Sequence, residues 1–488
     1  MNFIILGGGS AGWITALFAK HLFPNDSVTV IQSPSVGIIG VGEATTSHSI
    51  NFFRSIGLDP LDLIKNSNGT IKNGNNFVNW AGQGTRYFHT FSENIVDFSI
   101  PGVFDSGCRE FYLKNLIKNK LSFEDYMYQT KLAYANKIDL QNTSWAIQID
   151  ARDFAAYLEK FGVNKGIKVV NGDYTHPDLD ESGCITALNL SNGQSVPCDF
   201  VFDCTGFARL LIGKLYQEPW ISYKKYMPMK RAVMFWLEPD ADIPSYTSSI
   251  AMDAGWMLKI PLQHRSGSGY IYDSDQITEE QALIEAEKYW NRSLDVKKSL
   301  IFDTGRYQRV WVKNCLAVGL STGFIEPLEA TALWSSLQQL DFFRHFINEI
   351  RTPKDNSIKL YNELVANHYE EKMEYIYMHY CTRRTDTEFW RSFTANYPMP
   401  DNLIEKFELI KENNLRHFNI DDPKIIGHFS LYSYLQTCHG LGLLGDDINI
   451  SGYENIKPSP EEYRTITDAL VSQAMNHTEF LQRLKLSK

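Results

Sequence analysis

The chain has no paired-cysteine motif, no long apolar run and no block of like charge, and each absence narrows what it can do. Its seven cysteines (108, 184, 198, 204, 315, 381 and 438) include no CxxC pair. An odd number at irregular spacing speaks against a disulfide framework and for reduced thiols in a cytosol-like compartment. Cys438 and His439 are adjacent, and His379 and Cys381 lie close, but no four-ligand set with tetrahedral spacing forms, so no metal is expected. No apolar run approaches the roughly 18 residues that span a bilayer. The N-terminal FIIL is too short for a secretory leader and has no basic residues before it. A membrane is therefore not expected as a partner, and the expected setting is cytoplasmic. The net charge is −10. The lysine-rich KKYMPMKR (224–231) is short and broken by apolar residues, which excludes a nucleic-acid partner. Neither an internal repeat nor a low-complexity tract is present.

What is there is an ordinary globular composition, 43% hydrophobic and 21% charged, over 488 residues. That length is too great for one simple core and predicts two substantial lobes. Residues 2–6 read as a buried strand, 12–21 as the helix after it, and SVTVIQS (27–33) as a second strand. Residues 150–162 carry helical spacing, with Phe154, Leu158 and Phe161 on one face. Segments 168–171 and 198–207 read as further strands. Between about 226 and 275, alternating stretches predict an antiparallel sheet. CLAVGLS (315–321) reads as another buried strand, and from about 332 onward the pattern turns helical.

Gly7-x-Gly9-x-x-Gly12, between a strand and a helix, fits a dinucleotide-binding turn. The glycines allow a tight turn and close approach of a pyrophosphate, which then sits on the helix N-terminus. The acidic residue expected at the end of the second strand is Gln32, which can still donate to a ribose hydroxyl. By itself this fingerprint is weak.

A set of motifs makes the likeness specific. GGGSAGW (7–13), GVGEAT (40–45), DCTGF (203–207), GWMLKIPL (255–262) and AVGLSTGFIEPLEAT (317–331) stand in the order of the flavin-dependent tryptophan halogenase family. HYCTRRTDTEFWR (379–391) extends the resemblance to about residue 395. The resemblance implies an α/β architecture: a Rossmann-type FAD-binding lobe of the p-hydroxybenzoate hydroxylase kind, an antiparallel sheet insertion and a helical C-terminal region. On this reading a discontinuous FAD lobe covers 1–345, with the sheet insertion at about 226–295. A mainly helical region, 346–488, covers the substrate. The cofactor is FAD, reduced by a separate flavin reductase that docks transiently. The implied flavin contacts are Gly7, Gly9, Ser10, Ala11, Gly12, Gln32, Gly42, Glu43, Ala44, Gly319 and Leu328.

The resemblance also assigns roles. Lys72, followed by Phe77 and Trp80 at matching spacing, takes the place of the family's essential lysine. Its ammonium can polarise hypohalous acid, and its neutral amine can form a haloamine if burial lowers its pKa. Glu329 matches the glutamate that faces this lysine across the substrate site and can accept the proton lost from the arene. Glu326 shares its helical face if the segment is helical. Backbone amides at Thr331 and Ala332 hold halide, although the usual Ser-Thr-Gly reads Ala-Thr-Ala here. The family's Trp-x-Trp-x-Ile-Pro becomes Trp256, Leu258, Ile260 and Pro261, so the wall between flavin and substrate has lost its second indole.

The expected function is halogenation of electron-rich aromatics with FADH2, O2 and halide, bromide or iodide favoured over chloride. An aromatic hydroxylase on the same fold and a non-catalytic flavin-binding protein are the alternatives. A homo-oligomer is left open.

Overall fold

A computed structural model describes residues 1–37, 40, 42–93, 99, 109–351, 353–412, 429–444, 448–451 and 454–486. Val41 of the GVGEAT motif and Cys108 lie outside the described residues. The chain forms two interleaved units. The first comprises Met1–Asn68, Ile149–Tyr223 and Asp303–Glu370; the second comprises Gly69–Gln148, Lys224–Phe302 and Glu371–Lys488.

The first unit is built on a six-stranded sheet. Its order is Lys168–Asn171, Ser27–Gln32, Asn2–Leu6, Phe200–Asp203, Cys315–Ala317 and Trp311–Val312. The first five strands are parallel and the last is antiparallel. Near-continuous apolar runs such as FIIL and FVF suit a parallel sheet covered on both faces. On one face Ile4, Leu6, Ile31 and Val201 pack with Ile185, Leu188 and Leu190 of a small antiparallel meander. Successive side chains alternate between faces, so Phe3 and Ile5 serve the other side. The first helix, Ser10–Leu22, starts two residues earlier than the sequence pattern suggests. It buries Trp13, Ile14, Leu17 and Phe18. Helix Ala151–Asn164 is capped by Asp150, whose side chain accepts from the amides of Arg152 and Asp153.

The second unit is built on a seven-stranded sheet. Its order is Val296–Ile301, Arg231–Leu237, Ser266–Tyr272, Gly255–Pro261, Thr247–Met252, Gly74–Val78 and Arg86–Thr90. The antiparallel region anticipated between 226 and 275 forms its centre, joined by two strands from far upstream. One face is covered by helix Glu279–Trp290, which opens with a Thr278–Gln281 capping box. Its Ala282 and Ala286 pack with Val233, Phe235, Met257 and Tyr270. Because strand side chains alternate, Trp256, Leu258 and Ile260 stand on the opposite face from Met257.

The HYCTRRTDTEFWR motif braces the sheet edge by packing. Phe77 stacks on Tyr87 at 4.7 Å, and Trp80 meets Tyr380 and Trp390 edge-on at 5.6 Å each. Trp390 Nε1 donates to the Met252 carbonyl at 2.7 Å, and the Thr382 hydroxyl donates to the Trp80 carbonyl. Such indole N–H bonds are what allow tryptophan to be buried without desolvation loss. Among the described residues no helix is long and apolar enough to cross a membrane.

Candidate functional site

In the first unit the glycine turn connects strand Asn2–Leu6 to the first helix. Gly7 has φ +124°, and a Cβ there would run into the Cys204 carbonyl of the DCTGF segment. A Cβ at Gly12 would strike the Gly7 carbonyl, so these two glycines are fixed by close backbone approach. Gly9 differs. Its φ is −81°, open to any residue, and a Cβ would meet nothing within 4 Å. Protein atoms therefore leave space beside it, at the helix end. That helix has no side-chain cap and no acid in its first turn, so its N–H dipoles are available to an anion. A pyrophosphate fits this cradle.

Several of the other expected flavin contacts lie beside the same turn. Ser10 Oγ donates to Glu43 Oε1 at 3.1 Å. Burial, opposed by this bond and reinforced by Asp150, pushes the Glu43 carboxyl up to about 7. Gly42 precedes it with φ +141° and Ala44 is buried. Gly319 has φ +76°, and a Cβ there would lie 2.9 Å from the Ala11 methyl. Leu328 is buried. Gln32 donates through Nε2 to Glu159 Oε1 at 3.2 Å. The carboxylate missing from the strand end is thus present on the neighbouring helix. No local sequence signal links two residues 127 positions apart.

Glu326 and Glu329 are both buried, but the shared helical face does not exist. The stretch 325–330 is irregular and the helix begins at Thr331, with Ala330 as its N-cap in the left-handed conformation (φ +58°). Pro327 and this left-handed turn hold the backbone out of helix. Neither glutamate caps the helix, which has no side-chain cap at all. Thr331 and Ala332 are its first two residues, where amides have no intrahelical acceptor. The Thr331 hydroxyl is buried with no hydrogen-bond partner among the described residues. An anion at these amides would fit both observations.

In the second unit Lys72 ends the short strand Thr70–Lys72 and is fully buried. Its ammonium lies over the Phe91 ring, 5.6 Å from the centroid. Residues on both sides of it are tied down. Thr70 Oγ1 donates to the Pro261 carbonyl at 2.8 Å and accepts from Gln148 Nε2 at 2.9 Å. Asn73 donates from its amide to the Ser245 carbonyl at 2.7 Å, and from its side chain to the Lys137 carbonyl at 3.0 Å. Ile71 N–H donates to His477 Nε2 at 3.0 Å. His477 was not singled out by sequence reasoning. Pro261 thus links the lysine strand to the strand of Trp256 and Leu258, both buried on one face. Leu258 is flanked in register by Ser249 and Gly269, and the Met234 side chain covers Gly269.

A Rossmann-type lobe with a glycine turn, and a buried lysine on a short strand paired with Ala146–Gln148, are the features expected of a flavin-dependent halogenase. A family profile described as tryptophan halogenase matches residues 2–451. The chain belongs to the tryptophan halogenase family. It is 32% identical to the tryptophan 7-halogenase KtzQ of Kutzneria sp. (strain 744), over 99% of this chain and 98% of that protein. It superposes on a flavin-dependent halogenase from Xanthomonas campestris with a TM-score of 0.86 at 28% identity, covering 99% of this chain and 98% of the other. A second, BrvH from Brevundimonas sp. BAL3, gives 0.85 at 27% identity, covering 99% of each.

Proposed function

We propose that the protein halogenates electron-rich aromatic molecules, using FAD reduced by a separate reductase, O2 and halide, with hypohalous acid relayed to Lys72. The bound flavin supplies the oxidation of halide by O2. Halide is held by the Thr331 and Ala332 amides, a reading supported by the uncapped helix end and the unpartnered Thr331 hydroxyl. Lys72 holds the hypohalous acid and polarises its O–X bond. The arene takes the halogen, the oxygen leaves as water with a proton from the Lys72 ammonium, and Glu329 accepts the ring proton, which is returned to the lysine. Trp256, Leu258, Ile260 and Pro261 line the route by which the hypohalous acid travels, and the helical region 346–488 covers the arene.

The observation that carries this reading is the complete burial of Lys72 on a strand hydrogen-bonded at every neighbouring residue. A surface lysine would be neither buried nor held. The relatives named as tryptophan halogenases support a reading with indoles among the substrates. Leu258 in place of an indole, with alanines at 330 and 332, widens the range to phenols and N-heteroarenes. The same changes favour bromide or iodide, which cost less to desolvate than chloride. The test is Lys72→Ala, assayed with reduced FAD, O2, bromide and a panel of indoles and phenols. Arene halogenation disappears while flavin oxidation and free hypohalous acid formation continue. Unchanged product and regioselectivity would overturn the role of Lys72.

A further inference from the structure

His477 lies beyond residue 451, where the family match ends. It opens the last helix, His477–Leu486, and is fully buried. Both ring nitrogens are engaged. Nε2 is 3.0 Å from the Ile71 amide, which has only a proton to offer, so Nε2 accepts. The ring proton then sits on Nδ1 and is donated to the Ile243 carbonyl at 2.8 Å. Only the neutral tautomer with this orientation satisfies both partners.

The segment around it repeats the connection. Met475–Asn476 pairs with Lys137–Ile138, and the Lys137 carbonyl accepts from the Asn73 side chain at 3.0 Å. The Thr478 hydroxyl accepts from the Ile243 amide and donates to Asp242 Oδ1, both at 2.8 Å. The residues flanking Lys72 on either side, Ile71 and Asn73, are therefore both tied to structure that the C-terminal segment organises. Thr70–Lys72 is the edge strand of its sheet, paired with Ala146–Gln148, and so short a pairing is marginal by itself.

We propose that His477 is a positioning residue for Lys72: its Nε2 holds the Ile71 amide and so sets where the lysine ammonium stands. The inference rests on Lys72 being the halogen-carrying residue. Its chemical content is the acceptor at Nε2, not the volume of the ring. An amide left buried without that acceptor shifts to find another, and small misplacement of a reacting group is costly.

The test uses the full chain with reduced FAD, O2, bromide and L-tryptophan or phenol as the arene, and a thiol scavenger to capture free hypobromous acid. His477→Met fills the space with only a weak thioether acceptor, whereas His477→Gln can place its carbonyl oxygen near the Nε2 position. The Met variant should lose about tenfold or more in kcat for arene halogenation, since a misplacement of about 1 Å can cost a hundredfold. Its KM for arene, FAD affinity and rate of flavin oxidation should stay within about twofold, with scavenged hypobromous acid rising as product falls. The Gln variant should recover most of the loss. A Met variant with wild-type kcat, or Met and Gln variants equally impaired, overturns the inference. If the Met variant does not fold, His477→Asn replaces it. Asn reaches only the Nδ1 position, so equal activity of the Asn and Gln variants overturns the inference and a Gln advantage supports it. Lys72→Ala run in parallel separates the two failures. If that variant halogenates normally, the Lys72 reading falls; if it is inactive while the Met variant is normal, only the His477 inference falls.

Discussion

Single glycines in the dinucleotide turn carry different constraints although the sequence writes them alike. Gly12 is held by contact with the Gly7 carbonyl, whereas Gly9 borders open space. Gly12→Ala should therefore destabilise the apoprotein by about 1–3 kcal/mol, the usual cost of overpacking. Gly9→Val should leave thermal stability nearly unchanged and abolish FAD binding, because its side chain fills the cradle. Thermal melts with and without FAD read both effects, and retained flavin affinity in Gly9→Val would sink the assignment of the turn. Glu43 makes a second residue-scale case. Its carboxyl, ordinarily at 4.5, is raised to about 7 in the folded chain. The fold therefore binds a proton that the unfolded chain releases, and stability falls as pH rises from about 4.5 through about 7. Glu43→Gln removes the titration while keeping an acceptor for Ser10. It should be more stable than the parent at pH 8 by up to about 3 kcal/mol, with the difference vanishing near pH 4.5. Equal pH dependence of the two melting curves would refute it.

The strand carrying Trp256 and Leu258 shows how an element sets what one substitution can do. Trp256, Leu258 and Ile260 share a face, and Leu258 has Ser249 and Gly269 as register neighbours. Leu258 is buried and Met234 covers Gly269, so the added bulk of Leu258→Trp has to displace its neighbours on that face. It should narrow the range of phenols and N-heteroarenes accepted and raise the halogenated product formed per reduced flavin oxidised. Chromatographic product yields across the panel measure both, and an unchanged substrate range would show that position 258 does not line the route. The helix after EPLEAT teaches the complementary lesson. Its start at Thr331 is legible from the apolar spacing that follows, but the irregular, buried approach through Glu326 and Glu329 is not. Pro327 hints at a break. The left-handed Ala330 gives no such hint, because alanine is a helix former and only its surroundings impose φ +58°.

For the molecule as a whole, the proposed function makes halide choice depend on both the helix end at Thr331 and the strand of Leu258, so it is tested on the complete enzyme. With equal concentrations of chloride, bromide and iodide competing, bromide or iodide should dominate the products, since a single small apolar change discriminates only about 1–3 kcal/mol while anion desolvation differs by more. Chloride incorporation equal to or above the others would overturn the preference.

The sequence by itself determined the strand–turn–helix at the N-terminus, the antiparallel stretches between 226 and 275, and the family, because these depend on short-range spacing and on motifs in a fixed order. Tertiary structure alone decided the rest. It joined strands Gly74–Val78 and Arg86–Thr90 to a sheet formed mostly by residues more than 150 positions later. It set Glu159 beside Gln32 to restore a carboxylate that the strand lacks. It also brought His477 to Ile71 across 406 positions. The physical reason is that a lone glutamate or histidine has no periodicity to betray it: its partner is chosen by which buried donors and acceptors the fold leaves to be satisfied.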